Sequence, residues 1–147
     1  MNREIKFRGK SNNGKFVYGN YHKVIGNTII NKRKISLDLH YILETQMPDY
    51  SGWHLNDSYR ENAVDKNTIG QFTGLKDKNG KEIYEGDILK RGEDVSFVVW
   101  QLDCWILNSY MQAGRGLYAN VDRTRHKGFE IAEVIGNIHE NPELLNG

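Results

Sequence analysis

Residues 68–89 read Thr68-Ile-Gly-Gln-Phe-Thr-Gly-Leu-Lys-Asp-Lys-Asn-Gly-Lys-Glu-Ile-Tyr-Glu-Gly-Asp-Ile-Leu89. Local physics specifies this stretch more tightly than any other. Residues 69–75 suit a strand. Lys76-Asp77-Lys78-Asn79-Gly80 is a turn, because Asn79 and Gly80 both tolerate the positive φ of tight hairpin loops. Residues 81–84 return as a second strand. Glu85-Gly86-Asp87 then breaks the extended run: Gly86 allows a bulge or a positive φ, and the Asp87 carboxylate can accept backbone N–H bonds of the turn.

Working outward, Glu4 to Arg8 alternates, with Ile5 and Phe7 on one side and Glu4, Lys6 and Arg8 on the other, which predicts a half-buried strand. A polar turn at Asn13-Gly14 leads to a return strand over residues 15–18. Residues 21–25 and 28–30 read as a pair of short strands around Gly26-Asn27, followed by a basic turn at residues 31–34. Residues 35–43 fit either a strand or a helical face; strand neighbours favour strand. A loop surrounds Pro48, and residues 53–67 are polar and irregular, with one short strand around Ala63-Val64. Beyond the central hairpin, residues 88–90, 95–101, 105–110, 117–121 and 129–135 are the expected strands. Asn141-Pro142-Glu143 predicts a short terminal helical turn, with Asn as N-cap, Pro at N1, and Leu144 or Leu145 plugging a barrel end. The predicted core is Ile69, Phe72, Leu75, Ile83, Ile88, Val95, Phe97, Val99, Ile131, Val134 and Ile138, with hairpin register able to flip some of them.

Three stretches together resemble the YopX family of phage and prophage proteins. They are residues 69–89 quoted above, the closing Glu133-Val-Ile-Gly-Asn-Ile-His-Glu-Asn-Pro-Glu-Leu-Leu145, and the shorter opening Arg3-Glu-Ile-Lys-Phe-Arg-Gly9. They occur in the family's order and span nearly the whole chain. The resemblance implies a mainly β protein with an SH3-like small barrel towards the C-terminus, and it implies no catalytic residues. The expected organisation is an N-terminal β-hairpin subdomain with an irregular insertion over residues 1–67, an SH3-like barrel over 68–147, and a short C-terminal helical turn.

With 38% apolar and 27% charged residues, the chain has the balance of a soluble globular protein. No run approaches the roughly 18 apolar residues of a spanning helix. The N-terminus has no apolar signal core, so the expected location is the cytoplasm of the bacterial host. Cys104, the single cysteine, sits in an apolar stretch and is expected to be a buried, inert thiol. The histidines make no metal-ligand spacing, and no phosphate loop or nucleophile elbow is present. His139-Glu140 reads as a surface turn rather than an acid–base pair. The expectation is no enzyme activity, no cofactor and no metal.

Charge is uneven. Residues 1–34 hold nine Lys or Arg and one Glu, net +8, whereas residues 35–147 hold eleven Lys or Arg and eighteen acids, net −7. Cations decorating strand edges against aggregation are the plainest explanation. Two functional readings stay open beside it. The preferred one is an interaction module that forms a homo-oligomer or binds a phage or host protein, with contacts at Ile5, Phe7, Phe16 and Tyr18 along the strand edge at Glu4 to Arg8. The alternative is weak, sequence-tolerant nucleic-acid binding by Arg8, Lys10, Lys32, Arg33 and Lys34. The turn from Arg123 to Lys127 and Trp100, Trp105, Tyr110 and Tyr118 would assist.

Overall fold

The computed structural model describes residues 4–43, 62–101, 104–108 and 127–146. The loop expected around Pro48, the strand over 117–121, Tyr110, Tyr118 and the basic turn from Arg123 lie outside the described residues.

The described chain is mainly β, with very little helix. The strands are β1 (Phe7–Lys10), β2 (Phe16–Ile30), β3 (Arg33–Leu43), β4 (Gly70–Lys76), β5 (Glu82–Tyr84), β6 (Asp87–Arg91), β7 (Asp94–Gln101), β8 (Cys104–Asn108) and β9 (Glu133–Asn137). Among the described residues, a helical turn, α1 (Lys127–Glu130), and the 3-10 turns Lys66–Thr68 and Pro142–Leu145 accompany them. All pairings are antiparallel, in sheets of order β3-β2-β1-β4-β5 and β8-β7-β6-β9; neither sheet closes among the described residues. The chain divides into two compact units, Ile5–Gln71 and the residues from Phe72 onward.

In the first unit, Asn13 drives the β1–β2 turn. Its side-chain oxygen accepts the Ser11 hydroxyl at 2.6 Å and the Lys15 N–H at 3.0 Å. The pair of short strands expected around Gly26-Asn27 is corrected to a single long strand. Gly26 pairs with Leu37 and Asn27 with Ser36, and the chain reverses at Asn31-Lys32. Running straight through Gly26 allows eleven cross-strand pairs from Asn20↔Leu43 to Ile30↔Arg33, against a few for a hairpin folded at Gly26. Residues 35–43 are strand, as their alternation suggested. The base of the β2–β3 ribbon is buried at Tyr41, Ile42 and Leu43 with Val64. The Ala63-Val64 expectation takes the form of two isolated bridges, Tyr41↔Ala63 and Ser11↔Val64. Asp65 then caps the 3-10 turn by accepting from the Asn67 N–H at 2.9 Å.

The second unit is organised by two buried carboxylates. Asp77 closes the β4–β5 turn: Oδ1 accepts the N–H groups of Asn79 (2.8 Å) and Lys81 (2.9 Å), and Oδ2 accepts that of Val134 in β9 (3.0 Å). Asp87 accepts the Tyr84 N–H at 2.8 Å, as the Glu85-Gly86-Asp87 break predicted. The core consists of Ile83, Leu89, Val98, Leu107, Phe129, Ala132 and Val134, with Leu75 and Trp105 packed against it. Each large aliphatic or aromatic side chain fully withdrawn from water there contributes roughly 1.5–3 kcal/mol.

Of the predicted core, Phe72, Ile83, Ile88 and Val134 are buried, and Ile69, Leu75, Val95, Phe97, Val99 and Ile138 are half-buried. On β7 the fully buried position is Val98, the other phase of the alternation. Ile131 is corrected from core to surface, at 62% exposure. Residues 127–130 form a helical turn instead of the start of a strand, so Phe129 and Ala132 point inward and Ile131 outward. Cys104 is likewise exposed rather than buried, because it opens β8 at the strand end. The terminal turn is 3-10, and Leu144 and Leu145 are only half-buried. Asn141 makes no side-chain capping bond there; its oxygen accepts from the Asn137 N–H at 3.4 Å instead.

Gly80 and Gly86 have φ of 81° and 84°. Valine at either position holds backbone in sparsely populated space, and each variant is expected to lose about 1–3 kcal/mol. Unchanged melting temperatures in both would show that neither glycine is needed. A second outcome follows from Asp77. Burial raises its pKa, but the three backbone N–H donors at Val134, Lys81 and Asn79 outweigh burial and hold it below the ordinary carboxylate value. Its contribution to stability is therefore full above the unfolded pKa near 3.9 and is lost as pH falls through the lower folded value. Asp77→Asn sets an amide N–H against one of these donors and is expected to cost about 1–3 kcal/mol at neutral pH. The gap from wild type should narrow in urea titrations below about pH 4; a pH-independent gap would refute the assignment.

Candidate functional site

Strand pairing fixes what each face of the β2–β3 ribbon presents, since directly paired residues share a face and neighbours alternate. One face carries Tyr21, Lys23, Ile25, Asn27 and Ile29 opposite Ile42, His40, Asp38, Ser36 and Lys34. The other carries Val24 and Gly26 opposite Leu39 and Leu37, with Ile35 and Arg33 beyond them.

On the first face a polar cluster sits near the base. The Tyr21 hydroxyl lies 2.7 Å from His40 Nδ1, and the two rings stack at 5.8 Å. His40 Nε2 lies 3.3 Å from Asp38 Oδ1 but out of line for a hydrogen bond. Lys23 Nζ is 3.2 Å from the same oxygen, and Lys66 Nζ is 3.9 Å from the other. The Lys23 hydrogen bond, aided by His40 and opposed by partial burial, holds the Asp38 carboxyl below its ordinary value. A tyrosine, an imidazole and a carboxylate in series can pass a proton. Here they bind one another, and Phe7 packs on Tyr21 at 5.6 Å, so the arrangement ties the ribbon to β1. This cluster escaped the sequence reading because it needs the register: only Lys23↔His40 and Ile25↔Asp38 pairing brings the four groups together.

Towards the tip the ribbon is open. Ile25 and Ile29 are 73% and 74% exposed, and Ile35 is 40% exposed. Lys32, Arg33 and Lys34 are exposed and make no ion pair with a described residue.

The structure separates the five cations grouped from sequence. Arg8 is buried, its guanidinium over the Phe16 ring at 5.0 Å. Lys10 is half-buried at the end of β1, where its N–H bonds Thr68 Oγ1 at 2.8 Å. Arg8 pairs with Tyr18 and Arg33 with Ile30, twelve residues along β2, which is about 40 Å at the rise of an extended strand. Only Lys32, Arg33 and Lys34 form a compact group. The four apolar candidates also divide. Phe7 and Phe16 are engaged with Tyr21 and Arg8, while Ile5 (63%) and Tyr18 (46%) stay exposed. Phe7 and Arg8 pair with β2 on one side and β4 on the other, so this strand is not an edge. In the second unit Trp100 and Trp105 meet edge to face at 4.8 Å, with Trp105 on the core and Trp100 45% exposed. His139 and Glu140 belong to a turn: both N–H groups bond Asn137 Oδ1 at 3.0 Å.

Fold and site thus define a mainly β protein bearing a long two-stranded ribbon with a basic tip. The chain belongs to the YopX family: the family model, described as YopX protein, matches residues 6–146. It is also similar to the crystal structure of protein EF1440 from Enterococcus faecalis, at 22% identity over 98% of this chain and 99% of that chain, with a TM-score of 0.45. Among curated proteins none matches. No helix among the described residues is long and apolar enough to cross a membrane.

If the polar cluster is an anchor, Tyr21→Phe strands the buried His40 Nδ1 and is expected to cost about 1–3 kcal/mol in urea unfolding. Asp38→Asn, at a solvent-exposed carboxylate, should barely move the midpoint. The reverse order of effects would contradict the anchoring role.

Proposed function

We propose that this protein is a non-enzymatic interaction module, a phage or prophage accessory protein, that self-associates through its β2–β3 ribbon. The observation that carries this reading is the pair of isoleucines, Ile25 and Ile29, each nearly three-quarters exposed on one face of the ribbon. A two-stranded hairpin is marginal in water unless one face is covered, and large β-branched side chains in a row are costly to leave wet. The outer edge of β2 beyond Gly19 has no strand partner among the described residues, so main-chain pairing adds to side-chain burial.

The occupant is a second copy of the chain. From residue 16 to residue 37 there are four Lys or Arg and no acid, while residues 35–147 carry net −7. Opposite fields of this kind steer encounter, and buried apolar area supplies affinity. A symmetric dimer is the simplest closure. We further read the unit from Phe72 onward as an SH3-like small barrel. Its support is the antiparallel run β6–β7–β8, with β9 returning beside β6 and a short 3-10 turn at the end.

Light scattering at tens of micromolar should give a mass above the 17.0 kDa of one chain. Ile25→Asp with Ile29→Asp should return it to monomer while the melting transition persists. A monomer for the unaltered chain at low salt would refute the proposal.

A further inference from the structure

The ribbon turns on two residues, Asn31 and Lys32, with φ of 50° and 64°. Positive φ at both positions is the geometry of the two-residue hairpin turn that asparagine followed by glycine favours. The chain's Asn13-Gly14 and Asn79-Gly80 turns leave positive φ to glycine alone, at 81° in both. At the ribbon tip a lysine occupies the strained position. A side chain kept in left-handed backbone at an exposed turn points to a role for that side chain, since glycine would relieve the strain.

The neighbours of Lys32 share its charge. Arg33 lies on one face of the ribbon and Lys34 on the other, with Lys32 at the apex, so cations surround the end of the ribbon. None is engaged by a described acid, and the nearest acid in sequence on the return strand is Asp38, bound by Lys23 at the middle of the ribbon. Two strands are about 4.8 Å apart, and the major groove of duplex DNA, about 12 Å wide, admits a two-stranded ribbon. A narrow ribbon whose outer half, residues 26–37, carries no acid and ends in cations directed to both sides fits between the phosphate walls of such a groove.

We infer that the tip of the β2–β3 ribbon, through Lys32, Arg33 and Lys34, binds the phosphate backbone of double-stranded DNA in the major groove, without sequence preference. This inference does not rest on self-association. Ile25 and Ile29 lie on one face, whereas Arg33 lies on the other and Lys32 at the apex. An assembly built on the isoleucines leaves Lys32 and Arg33 accessible and covers only Lys34, which pairs directly with Ile29.

The experiment is fluorescence anisotropy of a labelled mixed-sequence DNA duplex with the full chain over a ladder of sodium chloride. Log affinity should fall linearly with log salt, by roughly 0.9 per phosphate contact. Replacing Lys32, Arg33 and Lys34 together by Ala should weaken binding and flatten the slope by between two and three contacts' worth, with the circular dichroism unchanged. Lys32→Gly gives the discriminating result: it should raise the melting temperature by relieving the turn and yet weaken DNA binding. No binding by the full chain at low salt would overturn the inference. So would an unchanged slope in the triple variant, or a preference for single strands over duplex. If the triple variant instead lowers the light-scattering mass and leaves DNA affinity alone, the tip binds an acidic protein surface and the inference falls. Binding retained by an Ile25→Thr, Ile29→Thr variant, which adds no charge opposite Lys34, supports it even where self-association fails.

Discussion

The carboxylate of Asp77 turns a local hairpin into a long-range link. The turn closes itself through the backbone, with Asp77 N–H donating to Lys81 and Gly80 N–H to Asp77. An ionised carboxylate accepts at both oxygens, and its bonds to N–H groups are stronger than neutral ones. One oxygen therefore serves the turn and the other takes the Val134 N–H, 57 residues away. Lys78 adds a backbone bond from its N–H to the Ala132 carbonyl at 2.9 Å. Its exposed ion pair with Glu133 adds little, as surface pairs do. With β9 fixed here, α1 and the following residues are delivered to the core, where Phe129 and Ala132 are buried.

The same logic recurs at Glu85-Gly86-Asp87. Asp87 holds the Tyr84 N–H, Gly86 donates its own N–H to Val98, and its carbonyl accepts from Ile138 at 2.9 Å. Stretches 69–89 and 133–145, the two longest family-like segments, thus satisfy each other's backbone at Asp77–Val134 and Gly86–Ile138. Their sequences are constrained jointly because each supplies donors or acceptors that the other would otherwise leave unpaired.

This explains what was legible beforehand. Asn13-Gly14, Asn79-Gly80 and Asp87 act within a few residues of themselves, so their roles could be read from the chain alone. Gly26-Asn27 carried a similar signal and does not turn, because long-range pairing with Leu37 and Ser36 outweighs a weak local preference. Val98 was assigned to the wrong side because strand alternation has two phases and only tertiary contact selects between them, and Ile131 because a helical turn stands where strand alternation was expected. The basic third looked like one patch for the same reason. Proximity in sequence said nothing of an extended strand that carries Arg8 and Arg33 about 40 Å apart.

Register also connects the base of the ribbon to its tip. A two-stranded ribbon with polar and apolar residues on both faces has little in its outer half to prevent a slip by one residue. Cross-strand pairs there contribute only about 0.2–1 kcal/mol each. At the base, a slip would move His40 away from Tyr21 and Asp38 away from Lys23, breaking the bond at buried Nδ1 together with the ion pair. The cluster therefore selects one alignment for all eleven pairs. That alignment brings Asn31 and Lys32 to the turn and sends Arg33 and Lys34 to opposite faces. The buried tyrosine–histidine contact and the exposed cations are in this sense one arrangement: the first fixes the register, and the register sets where charge is presented.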